Sequence, residues 1–127
     1  MNRSNTAVAV SIALSALPAI TFGQADGDMI RLAKDSGCYI CHSVEPRNPA
    51  REVLTEGPAF RDIARRYKGQ ADAADRLTAT ILQGSGAKPS DKHWKGKVSG
   101  DVMPANAIEI SEPDARKLAY WILSLRR

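Results

Sequence analysis

The feature that most constrains this chain is the pentapeptide Cys38-Tyr39-Ile40-Cys41-His42, which holds both of its cysteines. Two cysteines cannot supply a disulfide framework. Four chemistries use a C-x-x-C pair. A structural disulfide across so short a loop constrains the unfolded chain little. A thioredoxin-like redox pair belongs inside a βαβ pattern, and no strand-like alternation precedes Cys38. A structural zinc site needs four ligands, and the only candidate set is Cys38, Cys41, His42 and His93. The fourth is covalent attachment of haem c. Two thiols three positions apart on a helical turn add to the two vinyl groups of one porphyrin, and the adjacent imidazole becomes the proximal iron ligand. Haem c attachment is the preferred reading.

The first 25 residues differ from the rest. Arg3 is their only charged side chain, and Ala7 to Ile20 is apolar except for Ser11, Ser15 and Pro18. Gly23-Gln24-Ala25 then places small residues at −3 and −1 of a cut. A basic start, a short apolar core and small residues before the cut read as a secretory signal peptide. A membrane anchor would need about 20 predominantly apolar residues, so no stable membrane insertion is expected after cleavage. No cysteine lies at the cut for lipid attachment. The expected mature chain is residues 26–127, a single domain, with the formal charge lowered from +4 to +3 by the loss of Arg3. Export places the mature chain in an oxidising compartment, read here as the periplasm. The seven aromatics of the full chain are spread along it and form no aromatic–basic platform for nucleic acid.

Helical periodicity appears in four places. The first helix is expected from about Asp28, with Met29, Ile30, Ala33 and Gly37 on one face and Asp26 or Asp28 as its cap. The second starts at Pro58, continues through Phe60, Ile63, Ala64 and Tyr67, and stops at Gly69. The third runs from about Asp72 to Gln83 with Ala74, Leu77, Ile81 and Leu82 inward and Gly84 as its stop. The fourth starts at Ser111 and carries Leu118, Trp121, Ile122 and Leu125 as its stripe, with Asp114 completing a capping-box variant. Long loops cover about 43–57 and 84–110. Four short helices make a thin core, and loops of that length need an explanation. Both problems ease if the loops wrap a large apolar cofactor.

A haem iron with one histidine needs a second ligand or a reason to stay open. Met29 lies on the helix leading into Cys38 and is assigned to core packing. Met103 lies 61 residues after His42, far enough for the chain to pass around a porphyrin and approach its other face. Pro104 stiffens that loop. A thioether is a soft, neutral ligand that raises the reduction potential. The competing role for Met103 is filling a gap in the core. His93, in the charged stretch Lys92-His93-Trp94-Lys95, is read as a surface residue.

At this point the chain resembles the class I cytochromes c, particularly the short bacterial periplasmic monohaem electron carriers. Gly37-Cys38-x-x-Cys41-His42, Gly57-Pro58-Ala59-Phe60, the Trp94 loop leading to Val102-Met103-Pro104, and the final helix around Leu118 to Leu125 carry the resemblance. It implies an all-α fold, about four short helices and long loops wrapped around one covalent haem c. It also implies that the carbonyl of Pro58 accepts a hydrogen bond from Nδ1 of His42, that Trp94 donates to a haem propionate, and that Gly37 and Tyr120 or Trp121 mark the crossing of the first and last helices. The insert Arg47-Asn48-Pro49-Ala50-Arg51 and the segment with Lys88, Lys92, Lys95 and Lys97 depart from the shortest members.

The expected function is one-electron transfer, not enzymatic turnover, by a monomer ligated by His42 and Met103. Redox proteins with acidic docking patches are the expected partners, steered by the lysine loop and by Arg47 and Arg51. The alternatives are a dedicated haem subunit of an oxidoreductase complex and, behind it, a haem protein with an open sixth site.

Overall fold

The computed structural model describes residues 22–46, 56–85 and 93–125. Most of the leader, the Arg47–Arg51 insert, Lys88, Pro89 and Lys92 lie outside the described residues. The described chain is all-α: α1 (Phe22–Asp35), a 3₁₀ turn (Cys38–Ile40), α2 (Phe60–Arg66), α3 (Ala73–Gln83) and α4 (Glu112–Ser124). The pairing of Lys95 with Val98 is an isolated bridge and not a strand. No helix among the described residues is long and apolar enough to cross a membrane.

The fourth helix organises the other three, each of which packs against it. Its start follows the sequence. Ser111 is its N-cap, with an extended backbone; its hydroxyl accepts from the Asp114 N–H at 3.3 Å and donates to the Asp114 carboxylate at 2.9 Å. Pro113 sits in the first turn, where a missing N–H costs nothing. Ala115, Leu118, Ala119, Trp121, Ile122 and Leu123 are buried along it. That stripe is wider than the one read from the sequence because it meets three partners, and Leu125 is only partly buried at its edge.

The first and last helices meet differently from expectation. Gly37 lies beyond the end of α1 in the left-handed region (φ 72°) and caps the 3₁₀ turn. A Cβ placed there would meet only the tip of Ile40, at 3.7 Å. Its role is to reverse the backbone ahead of Cys38. The fully buried small residues of the two helices are alanines: Ala33 of α1 and Ala115 and Ala119 of α4 have no exposed surface. On the aromatic side Trp121 faces inward (7% exposed) and Tyr120 faces solvent (60% exposed).

Two other starts are corrected. The first helix begins at Phe22, not Asp28, and so continues across the expected cut. Neither aspartate caps it: Asp28 pairs with Arg31 at 3.2 Å, and the Asp26 carboxylate accepts from Trp121 Nε1 at 2.9 Å. The second begins at Phe60, because Ala59 is extended (ψ 146°) and Pro58 precedes it. With seven residues α2 could not persist alone. Phe60, Ile63 and Ala64 hold it in the core. The third helix keeps its expected bounds and buries Ala73, Leu77, Thr78 and Ile81, with Ala74 and Leu82 partly buried.

If alanines set the α1–α4 crossing, Ala119→Leu overpacks it and costs about 1–3 kcal/mol. Tyr120→Ala, at an exposed position, changes stability by less than about 0.5 kcal/mol. Denaturant melts of the two haem-loaded variants check this.

Candidate haem site

The site begins at the turn that carries the pentapeptide. After Gly37 the chain winds into a tight turn: the N–H of Ile40 bonds to the Gly37 carbonyl at 3.1 Å, and those of Cys41 and His42 to the Cys38 carbonyl at 3.3 and 3.0 Å. This brings Cys38, Cys41 and His42 to successive corners of one turn. Both cysteines are free and half-buried.

Neither thiol is shifted toward its thiolate form. Burial pushes the Cys38 thiol above its ordinary range. Cys41 is also raised, first by its hydrogen bond to Glu56 (3.0 Å) and then by burial. A reactive dithiol pair needs one thiolate made easier to form, and neither is. The zinc alternative fails on placement, since no group of three or more metal-binding side chains occurs among the described residues. His93 lies instead in the Trp94 turn, its Nε2 3.3 Å from Lys97 Nζ.

His42 is the most constrained side chain of the site. Its Nδ1 lies 2.7 Å from the Pro58 carbonyl oxygen. A carbonyl only accepts, so Nδ1 carries the proton and Nε2 keeps its lone pair for a metal. Phe60 lies nearly parallel to the imidazole, with centroids 5.4 Å apart and planes 19° apart. Burial lowers the pKa of His42 and the Pro58 bond partly opposes that shift. The neutral, iron-binding form is thereby favoured.

The backbone around Pro58 is pinned to the cysteine turn. Gly57 N–H donates to the Cys41 carbonyl at 2.8 Å, Phe60 N–H to Ser43 at 2.8 Å and Arg61 N–H to Val44 at 3.2 Å. Only a glycine fits at 57. A Cβ there would lie 2.6–2.9 Å from three atoms of the His42 ring.

Met103 is half-buried and packs against the core cluster. Its N–H donates to the Ser85 hydroxyl at 2.7 Å, and its carbonyl accepts from the Ser85 N–H at 2.9 Å. Three residues on, Asn106 N–H reaches the Ile81 and Leu82 carbonyls, both at 3.2 Å. The Asn106 side-chain amide donates to the Ser36 carbonyl at 2.8 Å. Trp94 is also half-buried against the core, with the His93 ring edge-on at 4.5 Å and Lys97 Nζ 6.0 Å from the indole centroid.

The donor set fits a haem c: two thiols on one turn and outside any disulfide, an imidazole with its tautomer fixed by a backbone oxygen, and a glycine that leaves the ring room. Sequence reasoning named Cys38, Cys41, His42, Pro58, Trp94 and Met103; the structure puts the first three on one turn with His42 bonded to Pro58, and places Trp94 and Met103 half-buried against the core. It missed the His42–Phe60 stack, the Ser85 contact and the Asn106 strut. Phe60 was read only as a helix-face position, and nothing in local spacing marks Ser85.

A sequence model of the cytochrome c family matches residues 30–126. Cytochrome c-552 of Nitrosomonas europaea is 38% identical over 117 residues, which cover 91% of this chain and 93% of that one. The crystal structure of wild-type Nitrosomonas europaea cytochrome c552 superposes with a TM-score of 0.57 at 35% identity, covering 76% of this chain and 98% of that one. The class 1 cytochrome MtoD from Sideroxydans lithotrophicus ES-1 superposes with a TM-score of 0.58 at 26% identity, covering 80% and 97%.

Gly57→Ala is expected to displace the His42 imidazole. The ferrous variant, where haem is retained, should bind carbon monoxide at least about tenfold faster than the parent; a loosened histidine of this kind resembles the 10–100-fold losses seen when a metal ligand's supporting contacts are removed. Stopped-flow mixing checks it.

Proposed function

The chain belongs to the cytochrome c family, and from that premise we propose that it is a periplasmic one-electron carrier whose iron is held by His42 and Met103. It is an electron-transfer protein with one covalent haem c and the all-α class I cytochrome c fold. The observation that carries the ligand assignment is the His42 ring, with Nδ1 committed to Pro58 at 2.7 Å and Nε2 left for iron.

The haem, when bound, supplies a ferric/ferrous couple that exchanges single electrons. The residues do the rest. Cys38 and Cys41 become thioethers, so the group cannot dissociate. The Pro58 carbonyl fixes the His42 tautomer and raises its basicity. Phe60 backs the imidazole and keeps water from that face. Met103 supplies a neutral sulfur, which favours the ferrous state and raises the potential. Trp94, with two basic groups beside it, offers an indole N–H suited to a propionate.

Residues 1–25 are assigned to a cleaved leader, which gives export. The hydrogen bond from Trp121 to Asp26 supports a domain that starts at about that residue. The mature chain is assigned as a monomer. Lys95 and Lys97 are exposed at the Trp94 turn. They are the cations that would meet an acidic redox partner.

Two measurements test this reading. Split, sharp ferrous bands and a weak red-end iron–sulfur band in the ferric spectrum are expected of the parent, and Met103→Ala should lose the second while keeping the first. A parent without that band removes Met103 as ligand. Electron exchange with an acidic redox protein should slow several-fold between about 10 and 150 mM salt, as steering over a Debye length requires. The charge reversal Lys95→Glu with Lys97→Glu should flatten that dependence. A parent rate insensitive to salt sinks the steering idea.

A further inference from the structure

The geometry points to Ser85 as the positioning residue that holds Met103 in place and resists its displacement from the iron. This rests on the assignment of Met103 as the axial ligand.

A methionine on a long loop is the weak member of a ligand pair. A thioether carries no charge, and the described segment between Trp94 and Ile110 contains no helix to hold it. Here one residue bonds directly to its backbone. Ser85 follows Gly84, the C-cap of α3, whose positive φ (75°) turns the chain out of the helix. The Gly84 N–H closes the helix on the Thr80 carbonyl at 2.8 Å. Ser85 then engages both backbone polar groups of Met103, the N–H through its hydroxyl at 2.7 Å and the carbonyl through its own N–H at 2.9 Å. A Cβ at residue 84 would lie 2.5 Å from the Met103 oxygen, so this exit requires glycine as well. Pro104, next in the chain, has no N–H to offer. The next link to α3 is at Asn106, three residues on. Between 94 and 106 the methionine backbone is thus held to α3 through Ser85.

The consequence is specific. An external ligand that takes the methionine's place displaces the thioether, and the backbone shift that makes room for it works against the contact with the Ser85 hydroxyl. Ser85→Ala removes that contact and leaves the other, made by the backbone.

The test is imidazole binding to the ferric, haem-loaded protein, followed by loss of the red-end iron–sulfur band. Ser85→Ala should bind imidazole about three- to tenfold more tightly than the parent, the change expected for one hydrogen bond. Ser85→Thr, which keeps a hydroxyl, should stay near the parent. Ser111→Ala, which removes the distant α4 cap, should lower the melting temperature without changing imidazole affinity. Unchanged affinity in Ser85→Ala, or an equal rise in Ser111→Ala or Ser85→Thr, overturns the role of Ser85 while leaving Met103 as ligand. A parent protein without the band overturns the ligand assignment and this inference with it.

Discussion

The rest of the site depends on the hydrogen bond between His42 Nδ1 and the Pro58 carbonyl. A free imidazole has two tautomers and two ring faces; this contact selects one tautomer and sets the ring's direction. The selection requires the Pro58 oxygen to be immobile. It is held because Gly57 and Phe60, on either side of Pro58 and Ala59, donate their N–H groups to Cys41 and Ser43. The same stretch of backbone therefore receives the histidine's proton and fastens the cysteine turn. Proline suits the position, since it fixes φ and has no N–H to satisfy.

Phe60 connects that contact to the body of the protein. Its ring stacks on His42, meets Tyr39 edge-on at 5.9 Å and meets Trp121 edge-on at 5.7 Å. Trp121 in turn bonds Asp26 in α1. A line of contacts thus runs from the ligand through α2 and α4 to the first helix. Aromatic pairs of this kind contribute about 0.5–1.5 kcal/mol each beyond the area they bury. The short α2 owes its persistence to this network more than to its own hydrogen bonds. Arg61 adds a polar fastening at the rim, donating to the Glu45 carboxylate at 2.5 Å and to the Leu125 carbonyl at 2.8 Å.

Legibility in the sequence follows the range of the interactions. The stop of α3 at Gly84 and the start of α4 at Ser111 are local: a glycine with φ 75° and a serine cap can be read from a few neighbours. The attachment motif was legible because covalent chemistry ties two cysteines and a histidine to one spacing, as in Cys38, Cys41 and His42. The helix crossing was not. A glycine near the end of α1 suggested close approach, but Gly37 went to a turn, and the small residues fully buried in α1 and α4 are alanines such as Ala33 and Ala119. Alanines inside helices are too common to stand out. The beginning of α1 was missed because Asp26 had two possible uses, a cap or a partner for Trp121, and only the folded α4 decides between them. Ser85 and Met103 are 18 residues apart, so their contact has no signature in either segment.

The His42 side and the Met103 loop are also coupled. The Glu56 carbonyl accepts from Gly100 at 3.0 Å, and the adjacent Gly57 N–H donates to Cys41. One dipeptide therefore joins the histidine side to the loop that ends in Met103. From there the Asn106 amide returns to the Ser36 carbonyl, two residues before Cys38. The hydrogen bonds close a ring of chain: 36 to 41 along the cysteine turn, 57 and 56 by the first bond, 100 to 106 by the second, and back to 36 by the third. Closing such a ring with backbone and amide groups restricts both loops at once, so ordering one lowers the entropy cost of ordering the other. A thin four-helix core cannot confer this order on its own. The closure ties the described ends of both loops, at 56–57 and at 100–106, to the cysteine turn.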